Sequence, residues 1–336
     1  MVPALLYLYI VVIDPYDNLP LSPNITRFQV SGTNRSFKPS VARRPQYDSI
    51  VVGSSSSMLL HPARLSDAFN AHFANLAMPA ASPYEQLRLL KLFHDKHPAP
   101  RNILIGLDDF WCETRTLPKQ LGANVGQPTY DWLYDDDRWN DWPGLNSQVL
   151  KYTQRQLKAM LDPDQEPAAR DGYYNFTAAN YGSYDLNRAR TKIYGQPQPV
   201  PRPQSFNTEA TQSAGGQERL FPEVERLGES LAALPPETVK LVLLPPYHWY
   251  RQFQWGMESR QRLAACKHRI ASLGECLDNY QVLDFMRLSP ITVEDSHYWD
   301  GEHYNNEIAK SLEMMITDAV LRGRTRGDYY SYLWPS

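Results

Sequence analysis

Apolar residues fall into two alternating patterns along this chain. Short runs rich in β-branched and aliphatic residues, bounded by turn formers, occur at Asp48–Gly53, Ala71–Ala77, Asn102–Leu107, Val239–Leu244 and Gln281–Phe285. Each has the length and composition of a buried strand. Between them lie stretches whose apolar positions recur with helical spacing: Pro62–Phe69, Pro83–His97 (Leu87, Leu90, Phe93), Glu218–Leu234, Met257–Leu273 and Asn305–Leu321. Alternation of that kind predicts an α/β protein, a flavodoxin-like three-layer α/β/α sandwich with about five parallel strands.

The alternation stops between Phe110 and about Gly216, where only Ser147–Leu161 has helical spacing. That stretch holds an acidic aromatic cluster, Tyr130–Trp142, and a proline-rich run from Gln196 to Gln204. Its tryptophans and tyrosines argue against disorder. We expect an insertion or cap over the carboxyl edge of the sheet, the alternative being a structural excursion on a remote face. The expected organisation is an apolar segment and stalk at 1–23, the α/β domain in two parts at 24–109 and 217–322, the insertion at 110–216, and a C-terminal tail at 323–336.

The first segment is apolar up to Asp14, shorter than the ~20 residues that cross a bilayer. It leads into the Pro/Asn-rich stretch Asp14–Pro23, so it is read as the remnant of a membrane anchor with a stalk, with a buried first element as the alternative. Lys and Arg total 34 against 37 Asp and Glu, a net charge of -3. Nothing in that balance provides the basic footprint of a nucleic-acid binder. Three cysteines, Cys112, Cys266 and Cys276, have no metal-ligand spacing, and an odd number leaves at least one thiol free. Cys266 and Cys276 would lie about 15 Å apart on one helix, too far to pair unless the helix ends between them, as Gly274 permits.

Chemistry enters at the end of the first predicted strand, where Ile50-Val51-Val52 runs into Gly53 and four serines, Ser54–Ser57. A serine just after such a bend sits at the strand's carboxyl end, where open α/β sheets bind ligands. The other reading of four consecutive serines is a plain loop. A serine hydroxyl becomes a nucleophile when a base takes its proton, and the base works best when a third group fixes its tautomer. Asp300 and His303 supply both types three residues apart, after the last predicted strand and at the same sheet edge. Asp295 and His297 form a second acid-histidine pair close by, and a metal site built from these four residues is a further alternative. Asp300 as a helix cap beside a packed His303 is the structural one.

Gly53-Ser54-Ser55 and Asp300-x-x-His303, with the serine first and the acid and histidine last, resemble the SGNH/GDSL hydrolase superfamily. Within it the likeness is to the membrane-associated branch near the alginate O-acetylation and D-alanyl transfer proteins. It covers roughly 47–109 and 217–322 and leaves out the insertion. The resemblance implies Ser55 as nucleophile, His303 as general base and Asp300 as orienting carboxylate, with Ser54, Ser56 and Ser57 as competing nucleophiles. It also implies an oxyanion hole built from the backbone N–H of Ser55 and one near Met78, where the family commonly has glycine. The family's Gly-x-Asn-Asp block appears as Gly106-Leu107-Asp108-Asp109, so an acid stands in place of the asparagine whose amide donates to the oxyanion. An ionised carboxylate cannot donate.

Substrate-contact candidates are Asp108, Tyr247 and His248, at the carboxyl edge, and Trp132, whose ring could stack on a sugar. The expected activity is that of a carbohydrate esterase or O-acyltransferase working through an acyl-enzyme on an acylated polysaccharide or other envelope polymer. It would act outside the cytoplasm, in the periplasm, without a cofactor or metal. A non-catalytic carbohydrate-binding or scaffold component with the same fold is the rival expectation, motivated by the missing asparagine.

Overall fold

The computed structural model of the chain describes residues 2–20, 23, 25, 27, 32–121, 131–135, 137, 139, 141–162, 170–177, 182–202 and 220–335. Tyr130, the far end of the proline-rich run at Gln204, and the expected helix start at Glu218 lie outside these residues. Five parallel strands, β1 (Ser49–Val52), β2 (Phe73–Asn75), β3 (Asn102–Gly106), β4 (Val239–Leu244) and β5 (Tyr280–Asp284), and a sixth, β6 (Ser331–Trp334), form one sheet. Its order is β2-β1-β3-β4-β5-β6, with β6 antiparallel to β5. The fold is a three-layer α/β/α sandwich.

Side chains alternate between the two faces of each strand, and both faces are covered. Ile50, Val52, Ile103, Ile105, Val242, Leu244 and Val282 join one apolar cluster, packed on the helices Asn34–Ala42, Pro83–Lys96, Pro222–Ala232 and Gly256–Ser272. Val51, Leu104, Leu241, Leu243 and Leu283 join the other, against Pro62–Phe69 and Asn306–Arg322. Burial on both faces is why the strands read as continuous apolar runs rather than alternating ones. The strand order reverses at β1, with β2 on one side and β3 on the other. The crevice outside the carboxyl ends of β1 and β3 is therefore the topological switch point, where such sheets bind ligands.

Three elements depart from the sequence expectation. The tail beyond 323 is not free, because Ser331–Trp334 pairs with β5; its Tyr330-x-Tyr332-x-Trp334 alternation was the available signal. The helix Asn34–Ala42 escapes a hydrophobic-periodicity search because its buried residues include charges. Arg35 Nε meets Glu85 Oε1 at 2.6 Å, Lys38 Nζ donates to the carbonyls of Asn75 and Gly172, and Arg43 just beyond it pairs with Asp141. Finally, the segment read as a stalk is tucked against the domain. Asp14, Tyr16, Asn18 and Leu19 are buried, the Asp14 carboxylate accepts the N–H groups of Asn18 and Leu19, and Asn18 Nδ2 donates to Ser36 O at 2.6 Å.

The insertion divides into two described parts. Asp131–Tyr134 packs beside Asn34–Ala42 and Pro83–Lys96, and Ser147–Leu161 packs beside the N-terminal helix Val2–Ile13. Residues 170–177 and 182–194 lie closer to the carboxyl edge: Asp171 O accepts the N–H of Asn75, and the helix Leu186–Tyr194 contacts the turn at Asp295–His297. A disulfide joins Cys112, on the turn after β3, to Cys266 on the helix Gly256–Ser272, and Cys276 is an exposed free thiol.

Candidate active site

β1 ends at Val52, the chain bends at Gly53, and Ser55–Ser57 forms a single 3-10 turn. The turn is held from several sides. Asn75 Nδ2, at the end of β2, donates to the carbonyls of Ser57 (3.0 Å), Met58 (3.3 Å) and Leu60 (2.9 Å), while its Oδ1 accepts the N–H of Ala77. The buried Tyr304 hydroxyl donates to Ser56 O. Ser57 is seated between the ends of β1 and β3, where a Cβ on either Gly53 or Gly106 would overlap its hydroxyl. Both glycines are thus required for close approach, a constraint invisible in the serine run itself.

Ser55 Oγ lies 2.7 Å from His303 Nε2. His303 Nδ1 lies 2.8 Å from Asp300 Oδ2, and Asp300 Oδ1 accepts the backbone N–H groups of Glu302 (2.8 Å) and His303 (2.9 Å). A carboxylate on Nδ1 requires the proton to reside there, which leaves Nε2 bare and facing the serine hydroxyl. The loop carrying acid and base is pinned at its base by Trp299 N donating to His303 O (2.8 Å), by the bridge between Tyr298 and Tyr304, and by His248 N donating to Gly301 O (3.0 Å). Phe176, from the insertion, packs edge-to-face with the imidazole, ring centroids 5.2 Å apart. Burial works to lower the His303 pKa, but the hydrogen bond and charge of Asp300 outweigh it, with Glu302 and Asp108 adding, and the net direction is upward.

Asp108 lies beneath this turn and is buried. Its Oδ1 accepts hydrogen bonds from Ser56 Oγ (2.8 Å) and Tyr247 Oη (2.6 Å). Ser54 Oγ approaches the same carboxyl, yet Oδ2 completes no hydrogen bond. Burial pushes the Asp108 pKa up against the pull of these hydroxyls, and raises that of neighbouring Asp109 to about 6 with the charge of Asp108 adding.

Four expectations change. Met78 is spent: its N–H donates to Gly53 O at 3.2 Å, continuing the bonding between the β1 and β2 segments, so it is not an oxyanion donor. Tyr247 is buried with its hydroxyl on Asp108, supporting the site from below rather than meeting a substrate. His248 is wholly buried, its Nδ1 accepting the N–H of Tyr250 and its Nε2 donating to Asp295 Oδ1 at 3.2 Å, so both nitrogens are committed. Trp132 packs on the apolar cluster beside Pro83–Lys96.

The rival pair separates. Asp295 is enclosed by His248, Tyr194 Oη (2.5 Å) and Arg190 Nε (2.7 Å), whereas His297 Nδ1 bonds Ile291 O. Asp295 thereby ties the helix Leu186–Tyr194 of the insertion to the core. A groove that includes Arg64, Ile291, Met314 and Tyr329 holds none of Ser55, His303 or Asp300.

Sequence reasoning missed Asn75, Tyr304 and Phe176. Asn75 gave a weak signal, a polar residue ending an otherwise apolar strand; Phe176 gave none. No protein-family model matches this chain, and no curated protein matches it.

Proposed function

We propose that this protein is a serine-dependent carbohydrate esterase or O-acyltransferase with SGNH/GDSL-like machinery, acting on an acylated polysaccharide or related envelope polymer. The observation that carries the reading is the unbroken relay from Ser55 Oγ through His303 to Asp300. Ser55 Oγ attacks the ester carbonyl as its proton passes to His303 Nε2, and Asp300 stabilises the imidazolium. Collapse of the tetrahedral species breaks the ester C–O bond, and Nε2–H protonates the departing alcohol. Water or a sugar hydroxyl then attacks the acyl-Ser55, losing its proton to Nε2, and Ser55 takes that proton back as it leaves.

Two backbone N–H groups are free to serve as oxyanion donors. Ser55 is the first residue of its 3-10 turn, where an N–H has no acceptor within the turn. In the loop after β2, the amides of Leu76, Ala77, Met78, Ala81 and Ser82 all have acceptors and Pro79 has no N–H. Ala80 N–H is left over. Ala80 adopts a left-handed backbone (φ 44°), and Arg35 Nη2 holds the loop through the carbonyls of Pro79 and Ala80.

The Cys112–Cys266 disulfide supports an extracytoplasmic location, since structural disulfides persist in oxidising compartments. Among the described residues no helix is long and apolar enough to cross a membrane. The exposed Leu5, Leu6, Leu8 and Val12 of the first helix support attachment to a membrane surface. Hydrolysis of p-nitrophenyl acetate, with fluorophosphonate labelling of wild type and Ser55→Ala, tests the proposal. Turnover and a Ser55-dependent adduct are expected; absence of both in wild type refutes it in favour of a carbohydrate-binding or scaffold role.

A further inference from the structure

The carboxyl of Asp108 is enclosed within the serine turn, where burial works against its ionisation. Its Oδ1 is doubly satisfied by Ser56 and Tyr247, and its Oδ2 is buried without a hydrogen bond. A buried anionic oxygen left unpaired carries a heavy desolvation cost, while a neutral carboxyl carries far less. Asp108 bonds Ser56, the neighbour of Ser55, so a negative charge there would oppose an oxyanion forming on Ser55's substrate.

We infer that Asp108 works as the neutral acid, a positioning residue whose Oδ1 accepts from Ser56 and Tyr247 while its Oδ2–H turns to Ser54 Oγ, clasping both neighbours of Ser55 without adding charge. This rests on the serine chemistry proposed above. The proton on Oδ2 gives Ser54, the nearby hydroxyl, a donor to accept from, and one carboxyl then bridges the residues on either side of the nucleophile. An asparagine could make the same contacts, its carbonyl oxygen replacing Oδ1 and its NH2 replacing Oδ2–H. Burial, which pushes the group's pKa upward, acts in the same sense.

The surroundings oppose ionisation and favour it from different sides. Adjacent Asp109 is itself pushed up to about 6, chiefly by burial, and the phenol of Tyr247 stays neutral because burial holds its pKa well above the ordinary value. Protonated His303 favours the anion, so Asp108 and the imidazolium are coupled, and Glu302 pairs with Arg251 at 2.7 Å beyond Asp109. Ionisation at high pH would place a charge under the oxyanion and remove the donor to Ser54. Activity should therefore fall on the alkaline side.

Carboxyl-labelled aspartate NMR of the whole protein, with Asp108→Asn identifying the resonance, reads the charge directly. A neutral-acid signal persisting after exposed aspartates have ionised is expected. Titration together with them overturns the inference. In parallel, Asp108→Asn is expected to exceed Asp108→Leu in kcat/KM by about tenfold or more, the scale of a lost buried hydrogen-bond set. It should also lack the wild-type alkaline limb. Asparagine performing no better than leucine, or an unaltered alkaline limb, overturns it. Failure of wild type to label at Ser55 refutes the serine chemistry instead, and the NMR arm still reports whether Asp108 is charged.

Discussion

Asp300→Asn isolates the electrostatic half of the relay without disturbing its geometry. In the native loop Asp300 Oδ1 accepts two backbone N–H groups, from Glu302 and His303, and this asymmetry dictates how an amide must sit. The amide oxygen takes the place of Oδ1, because NH2 cannot accept those donors. The NH2 group is then forced to face His303 Nδ1 as a donor. The imidazole must shed its Nδ1 proton and carry it on Nε2, which turns the atom 2.7 Å from Ser55 Oγ from a base into a donor. An inverted tautomer of this kind costs roughly 10⁴-fold in kcat, equivalent to about 5.5 kcal/mol at about 1.4 kcal/mol per decade. Because both backbone bonds survive, thermal stability should change little. The fall should show as slower p-nitrophenyl acetate turnover and slower fluorophosphonate labelling, with the melting temperature as control. The Asp300 carboxylate also drives the upward shift of the His303 pKa, so the acidic limb of the wild-type profile should lie above the ordinary imidazole value of 6.5. A variant within about tenfold of wild type would refute the reasoning, since no correct tautomer could then be required.

Asn75→Ala leaves three carbonyls and the Ala77 N–H without their partner, and is expected to lower stability by about 3–5 kcal/mol and to loosen the turn that carries Ser55; denaturant unfolding and acylation rate check both parts. Replacing Cys112 and Cys266 with alanine opens a covalent loop between residues separated by 154 positions, for which chain entropy gives a loss of up to about 5 kcal/mol, measurable as a guanidinium midpoint shift. Asp295 is held down to about 2: burial acts to raise it, but the hydrogen bonds of His248, Tyr194 and Arg190 prevail. Its contribution to stability is therefore fully present above the ordinary value of 3.8 and lost as pH falls through about 2, and Asp295→Asn should flatten the stability curve across that window. The same variant should increase protease cutting within 182–202, because Asp295 is what Arg190 and Tyr194 grip.

The sandwich was legible because its strands are buried on both faces and its connecting helices carry apolar stripes; the predicted strand at Val239–Leu244 and helices at Pro62–Phe69 and Ser147–Leu161 match the structure to the residue. The serine turn and the acid-histidine pair were legible because each is local, a glycine bend after a strand and two residues three apart in one loop. Helix Asn34–Ala42 was hidden because its packing is done by Arg35, Lys38 and, at its end, Arg43, whose burial is compensated by partners 37 to 134 residues away. No periodicity reports on such partners. For the same reason Tyr247 and His248 were placed on the substrate side when the fold turns them inward.

By itself, the sequence determined the α/β class, the approximate strand and helix positions, and which three residue types could form a relay. Only the tertiary structure decided that Ser55, not its three serine neighbours, is the hydroxyl 2.7 Å from His303, that Met78's amide is already committed, and that Asp108 faces Ser56 and Tyr247. The physical reason is the range of the interactions. Backbone preference and apolar burial act over a few residues and leave a pattern in the chain, whereas a hydrogen bond selects one atom among near-identical neighbours through contacts that meet only when residues 248 positions apart are brought together.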